Sequence, residues 1–174
     1  MPTILHQMLL GSGLALGVAA AGQNAVALLG DHLRWQSIIG IAQASNVVGN
    51  DSGAVVGGGA PWPAFDGHAI VDLEGGDLNF DVHGLVLAGG NSIGTRGTIE
   101  AFKGTLVCDT DGSASTSGSS VLVNTPLVGL DERGNARFNG NIGALPSVCI
   151  SDPDVAFLIR VGSGRWIANG TVKR

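Results

Sequence analysis

The stretch from His68 to His83 restricts the fold more than any other part of the chain. His68-Ala-Ile-Val-Asp-Leu-Glu74 and Asp77-Leu-Asn-Phe-Asp-Val-His83 flank Gly75-Gly76, and apolar side chains recur at every second position. A repeat of two belongs to a strand with one covered face. A Gly-Gly pair between two such strands predicts a hairpin with a two-residue turn. In that register Leu73 faces Leu78, Val71 faces Phe80 and Ala69 faces Val82, so one face is wholly apolar. The other face carries Asp72 with Asn79, Ile70 with Asp81, and His68 with His83.

Further strands are predicted at Thr98 to Cys108, Ser119 to Asn124, Pro126 to Leu130, Ala136 to Ile142, Val155 to Val161 and Trp166 to Val172. Asp131-Glu-Arg-Gly-Asn135 and Gly162-Ser-Gly164 supply turns between them. Val155, Phe157, Ile159 and Val161 alternate with Ala156, Leu158 and Arg160, the pattern of a strand covered on much of both faces. Some eight strands with hairpin links predict an all-β fold, an antiparallel β-sandwich of Greek-key or jelly-roll kind, over residues 66–174. Asp109 to Ser120, almost all Asp, Gly, Ser, Thr and Ala, is expected to be a mobile surface loop. Residues 31–65 read as a Gly/Pro-rich connecting segment. Within it, Asp31 to Gln43 either prolongs a helix or forms a first strand, and Asn46 to Pro63 carries too much Gly and Pro for a long regular element.

Charge narrows the function. Charged residues are only 13% of the chain, Gly reaches 29 residues and Tyr is absent, a composition that suits an exported β-protein better than a cytosolic enzyme. A net charge of −5 without a Lys/Arg cluster removes the footprint that nucleic-acid binding requires, so nucleic acid is excluded as a partner. Cys108 and Cys149 are too far apart for a CxxC metal or redox motif. They are expected to pair in an oxidising compartment, two buried thiols being the alternative.

Residues 1–30 contain no Asp, Glu, Lys or Arg, and from Met8 onward they are almost wholly apolar. As a helix of about 22 residues this segment would measure about 33 Å, enough to cross a bilayer. It reads as a retained membrane anchor, as an assembly helix, or as a cleaved signal peptide with Met8 to Val18 as its apolar region and Ala19 and Ala21 at the cleavage site. Gly13, Gly17 and Ala21 form a small-residue stripe that would let neighbouring helices approach closely. Each reading implies export, to the periplasm, cell surface or medium.

Residues 67–170 resemble small exported bacterial all-β domains that have no established activity. The likeness is carried by Val82-His-Gly-Leu-Val-Leu87, Phe102-Lys-Gly-Thr-Leu-Val-Cys108, Leu145-Pro-Ser-Val-Cys149 and Gly164-Arg-Trp-Ile-Ala168. It implies a secretion signal and this cysteine pair, and no activity.

Chemistry-bearing groups are few. The predicted register puts His68 opposite His83, with Asp81 on the same face, and two imidazoles with a carboxylate are ligands for Zn, Cu or Ni. A solvated cross-strand pair is the competing reading. Asp109-Thr-Asp-Gly-Ser113 begins like a calcium loop but lacks its later acidic ligands, so an Asx-rich turn is expected. Asn50-Asp-Ser52 and Asn169-Gly-Thr171 match the glycosylation sequon by chance in a bacterial setting. Gly90-Asn-Ser-Ile-Gly94 has the Gly-x-Ser-x-Gly spacing without a strand before it and a helix after it, and no P-loop occurs, so neither a catalytic residue nor a cofactor is assigned. Trp35, Trp62 and Trp166 suit core packing better than a glycan platform. The leading expectation is a non-enzymatic extracytoplasmic structural or accessory subunit, attached through its N-terminal segment to other protein subunits or a membrane. The alternatives are a secreted binding module for a glycan or partner protein, and a metal-dependent enzyme using His68, His83 and Asp81.

Overall fold

The computed structural model describes residues 32–151 and 154–173. The N-terminal helix, the signal-peptide reading and the Gly13, Gly17, Ala21 stripe lie outside the described residues.

The domain is antiparallel β throughout its main sheet. In chain order its strands are β1 His32–Gly40, β2 Val47–Val48, β3 Val55–Val56, β4 Asp66–Asp72, β5 Asp77–His83, β6 Ala101–Cys108, β7 Val121–Asn124, β8 Val128–Gly129, β9 Ala136–Asn141, β10 Val155–Val161 and β11 Trp166–Lys173. A short helix, α1, spans Ser147–Ser151. One sheet runs β7-β6-β10-β11-β1-β4-β5-β9, with β8 also paired to β6, while β2 and β3 form a separate small hairpin. The sheet curls so that its far parts face each other. Phe80 on β5 packs against Phe102 on β6 and Phe157 on β10, with ring centroids 6.1 and 5.3 Å away, although those strands lie well apart in the sheet order. Gly104 makes room for this contact, since a Cβ there would lie 2.7 Å from the Phe80 ring.

The predicted core face is the observed one. Ala69, Val71, Leu73, Leu78, Phe80 and Val82 are all buried. The register is not the predicted one. Val71 pairs with Leu78, Ala69 with Phe80 and His68 with Asp81. The turn holds four residues, Leu73 to Gly76, because Asp72 closes it: its Oδ1 accepts the N–H of Glu74 and of Gly75, and its carbonyl accepts the N–H of Gly76. Gly76 takes φ +74°, and a Cβ there would stand 2.0 Å from the Gly143 carbonyl oxygen. A slip of two residues leaves each side chain on its own face, which is why face and register separate here.

The segment read as a connector belongs to the domain. β1 lies between β11 and β4 at the middle of the sheet, with Trp35 and Ile38 buried. The glycine-rich run that follows covers the core with Val55 and Trp62 and is pinned by Gly58 N–H to the Trp166 carbonyl and Trp62 N–H to the Ile41 carbonyl, both 2.8 Å.

β7 and β8 act as one border strand interrupted by a bulge. Val121 to Asn124 pair with Cys108 to Thr105, Val128 and Gly129 pair with Phe102 and Ala101, and the register shifts by one between them. Thr125 spans the gap, its N–H bonding to the Gly104 carbonyl and its Oγ1 accepting the Gly104 N–H. Pro126 sits in this bulge of a border strand, where a proline is tolerated within a sheet.

From β9, at the opposite border, the chain runs through the buried Leu145 into α1 and back to β10. Cys149 on α1 is disulfide-bonded to Cys108 on β6, with Cα atoms 4.9 Å apart. Val148 and Ile150, β-branched residues that favour strands, flank Cys149 within this helix. Five residues that begin just after Pro146, with Cys149 N–H bonded to the Pro146 carbonyl, leave no room for a ladder partner.

Candidate functional site

His68, Asp81 and His83 do share the outward face of the β4–β5 pair. Asp81 stands between the two imidazoles: its Oδ1 is 2.8 Å from His68 Nδ1 and its Oδ2 is 3.8 Å from His83 Nε2. The histidines themselves are not opposite each other, because His83 pairs with Asp66 and His68 with Asp81. Both imidazoles are about half exposed, at 48% and 51%. Among the described residues no group of three or more His, Cys, Asp or Glu is placed to hold a metal ion. The geometry is that of a solvated carboxylate bridging two rings.

The Asp109 region is the expected Asx-rich turn. Asp109 is buried, takes φ +57°, and its carboxylate accepts the N–H groups of Ala114 and Ser115 at 3.1 and 2.8 Å. Ser120 Oγ donates to the Asp109 carbonyl and accepts the Asn50 N–H, both at 2.7 Å. Asn50 Nδ2 donates to the Gly118 carbonyl at 2.8 Å. The Asn50 amide therefore serves as an internal clamp. Thr110 Oγ1 also bonds to the Asp154 carboxylate.

Several exposed carboxylates are tuned by such turns. Backbone hydrogen bonds, from Gly75 to Asp72, from Ser113 to Asp111 and from Asn135 to Asp131, hold these three below the ordinary carboxylate range. The Ser119 hydroxyl does the same for Asp51.

The three tryptophans are packed inward, at 2% exposure for Trp35 and 5% for Trp62 and Trp166. Trp166 Nε1 donates to the Asn46 carbonyl at 3.0 Å.

A different feature faces solvent beside the β10–β11 turn. The covering segment, the strandless stretch between β5 and β6, and the β10–β11 hairpin together enclose an open cleft of about 270 Å³. Trp62, Leu87, Ile99, Val161 and Ile167 line it with apolar surface, and Arg96 and Arg165 bring charge. Each guanidinium is fixed through Nη1 to a backbone carbonyl at 2.9 Å, Arg96 to Ile99 and Arg165 to Gly57. Among the described residues the ion pairs are those of Asp81 with its histidines, so neither arginine has a carboxylate partner. Gly59 forms part of the wall, and a Cβ there would meet nothing within 4 Å.

Reasoning from the sequence misses this cleft. Arg96 and Arg165 belong to segments that meet only through the fold; Arg96 sits in no motif, and the Gly164-Arg-Trp-Ile-Ala168 run that holds Arg165 implies no binding chemistry. The signal present is indirect: isolated arginines in turn-rich stretches of a sparsely charged chain. An apolar concavity with a few convergent polar groups is the usual form of a small-molecule site. The chain matches no protein-family model, and no curated protein and no solved structure is similar to it.

Proposed function

We propose that this protein is a non-enzymatic, extracytoplasmic binding domain whose ligand enters the cleft beside the β10–β11 turn. The observation that carries the reading is the pairing of an apolar cleft with two anchored, unpaired guanidinium groups. The Cys108–Cys149 disulfide suggests an oxidising extracytoplasmic compartment. The likeness to exported bacterial all-β domains agrees with export. Among the described residues no helix is long and apolar enough to cross a membrane. In this reading the curled sheet is a β-sandwich rolled towards a barrel, with binding at one end.

The test is ligand-observed NMR on the full chain with a panel of small molecules. Hits that compete with one another and vanish in Gly59→Leu, which puts a bulky group in the cleft wall, support the reading. Hits indifferent to that substitution refute it.

A second reading, a structural subunit attached to partner proteins or a membrane through residues 1–30, is favoured by the absence of any charged side chain in that stretch. Deleting residues 1–30 then leaves a soluble monomer. A truncated protein that still assembles or sediments with membranes rules this reading out.

A further inference from the structure

We infer that the cleft selects an amphiphilic anion: a small molecule with an oxyanion head, carboxylate or phosphate, on an aliphatic body. The inference rests on the cleft being a ligand site and names what that site takes.

Three observations carry it. The first is the segregation of charge. The chain has 14 acidic against 9 basic residues, yet the cleft lining contains two arginines and no acid. The positive character extends past the rim, because Arg160 borders an adjoining recess together with Arg165 and pairs in register with Lys103 on β6. A chain with an acidic surplus that assembles cations around one concavity sets up a local field opposite to its net charge, and such a field concentrates anions.

The second is preorganisation. Each cleft arginine spends one Nη on a backbone carbonyl and keeps its remaining donors. A guanidinium held in this way has less rotamer freedom left to lose on binding, and its planar fork matches the oxygens of a carboxylate or phosphate. A bare salt-bridge surface would tie the same arginines to carboxylates, and here it does not.

The third is the apolar wall. Trp62, Leu87, Ile99, Val161 and Ile167 offer nothing to a bare inorganic anion, whereas they cover an aliphatic body. At about 270 Å³ the cleft is just below the usual small-molecule range, which starts at about 300 Å³, and suits a small ligand.

Octanoate and octyl phosphate meet that description, and octan-1-ol and acetate each lack one half of it. Isothermal titration on the full chain is expected to show at least one of the two octyl anions binding tenfold or more tightly than octan-1-ol and than acetate. The preference shrinks as salt is raised. Arg96→Gln with Arg165→Gln is expected to abolish most of that preference, while Arg96→Lys with Arg165→Lys retains part of it. His68→Ala, on a different face, leaves it unchanged. Equal binding of octan-1-ol and the octyl anions, both lost in Gly59→Leu, overturns the charge selectivity and leaves the binding reading intact. No binding by any probe, or binding indifferent to Gly59→Leu, overturns both. The octyl-anion to octan-1-ol ratio is read on the unaltered chain, so the outcome stands even where an arginine variant fails to fold.

Discussion

Breaking the Cys108–Cys149 bond is the most informative perturbation of this fold. The two cysteines are 41 positions apart, and they close a loop that holds β7, β8 and β9. In the chain-entropy treatment, freeing a loop of that length raises the entropy of the unfolded chain enough to cost about 4 kcal/mol at room temperature. Both sulfurs are fully buried, so Cys108→Ala with Cys149→Ala adds a small packing loss and introduces no unpaired hydroxyl. For a domain of about 140 residues, each kcal/mol lowers Tm by about 3 °C, so a fall of roughly 12 °C is expected. Urea unfolding followed by tryptophan fluorescence reads the same change, because Trp35, Trp62 and Trp166 all leave the core together. At about 1.5 kcal/mol per molar the midpoint falls by about 2.7 M, and the slope steepens because the reduced unfolded chain exposes more surface. A loss under about 1 kcal/mol with an unchanged slope would refute the reasoning, since the unfolded chain would then be restrained by something other than the bond.

Two further predictions concern the core and the turns. Phe80→Ala removes a ring, fully buried, that sits within 6.1 Å of Phe102, Phe138 and Phe157 centroids, and should cost about 3 to 5 kcal/mol in urea unfolding; a cost below 2 kcal/mol would mean that the opposed parts of the sheet close up without it. The depressed carboxylates Asp51, Asp72, Asp111 and Asp131 bind fewer protons in the folded chain than in the unfolded one at acid pH. Their contribution is therefore whole above the ordinary carboxylate pKa of about 4 and is lost as pH falls through the lowered folded values. The urea midpoint should stay flat from pH 7 to 5 and drop below pH 4, less steeply in Asp72→Asn with Asp131→Asn; an unchanged acid limb in that variant would discount these turns.

Faces were legible in the sequence, and partners less so. Alternation alone identified all six inward side chains of the β4–β5 hairpin, because a period of two has a single geometric meaning. Its register escaped because the Asp72 side chain, acting on two backbone N–H groups, converts a Gly-Gly dipeptide into a four-residue turn without moving any residue to the other face. β1 was ambiguous for a physical reason. Its neighbourhood buries Trp35, Ile38 and Ile41, a spacing of three that imitates a helix. It arises because an irregularity in β1 turns both Trp35 and Ile38 to the sheet interior, where they meet Gly170 and Gly67, while Ile41 lies against Gly57 of the glycine-rich segment. Around Cys149, β-branched Val148 and Ile150 argue for a strand, and the docking of a single helical turn by a distant cysteine overrides that local preference. Of the groups singled out for chemistry, the His68, Asp81 and His83 proximity was legible from alternation. The cleft was not, since its two arginines come together only when the β5–β6 stretch folds against the β10–β11 hairpin.

The place of β1 beside β11 has a consequence for biogenesis. Gly40 pairs with Ala168, and Ser37 with Thr171, so the middle of the sheet is assembled from the two ends of the domain sequence. A ribosome emitting this chain releases β1 long before the strand that completes its ladder. Until residues 166–173 emerge, β1 has one neighbour and the curled sheet has no seam to close. Folding is thereby deferred to the whole domain, with the slow, non-local pairing typical of such topologies.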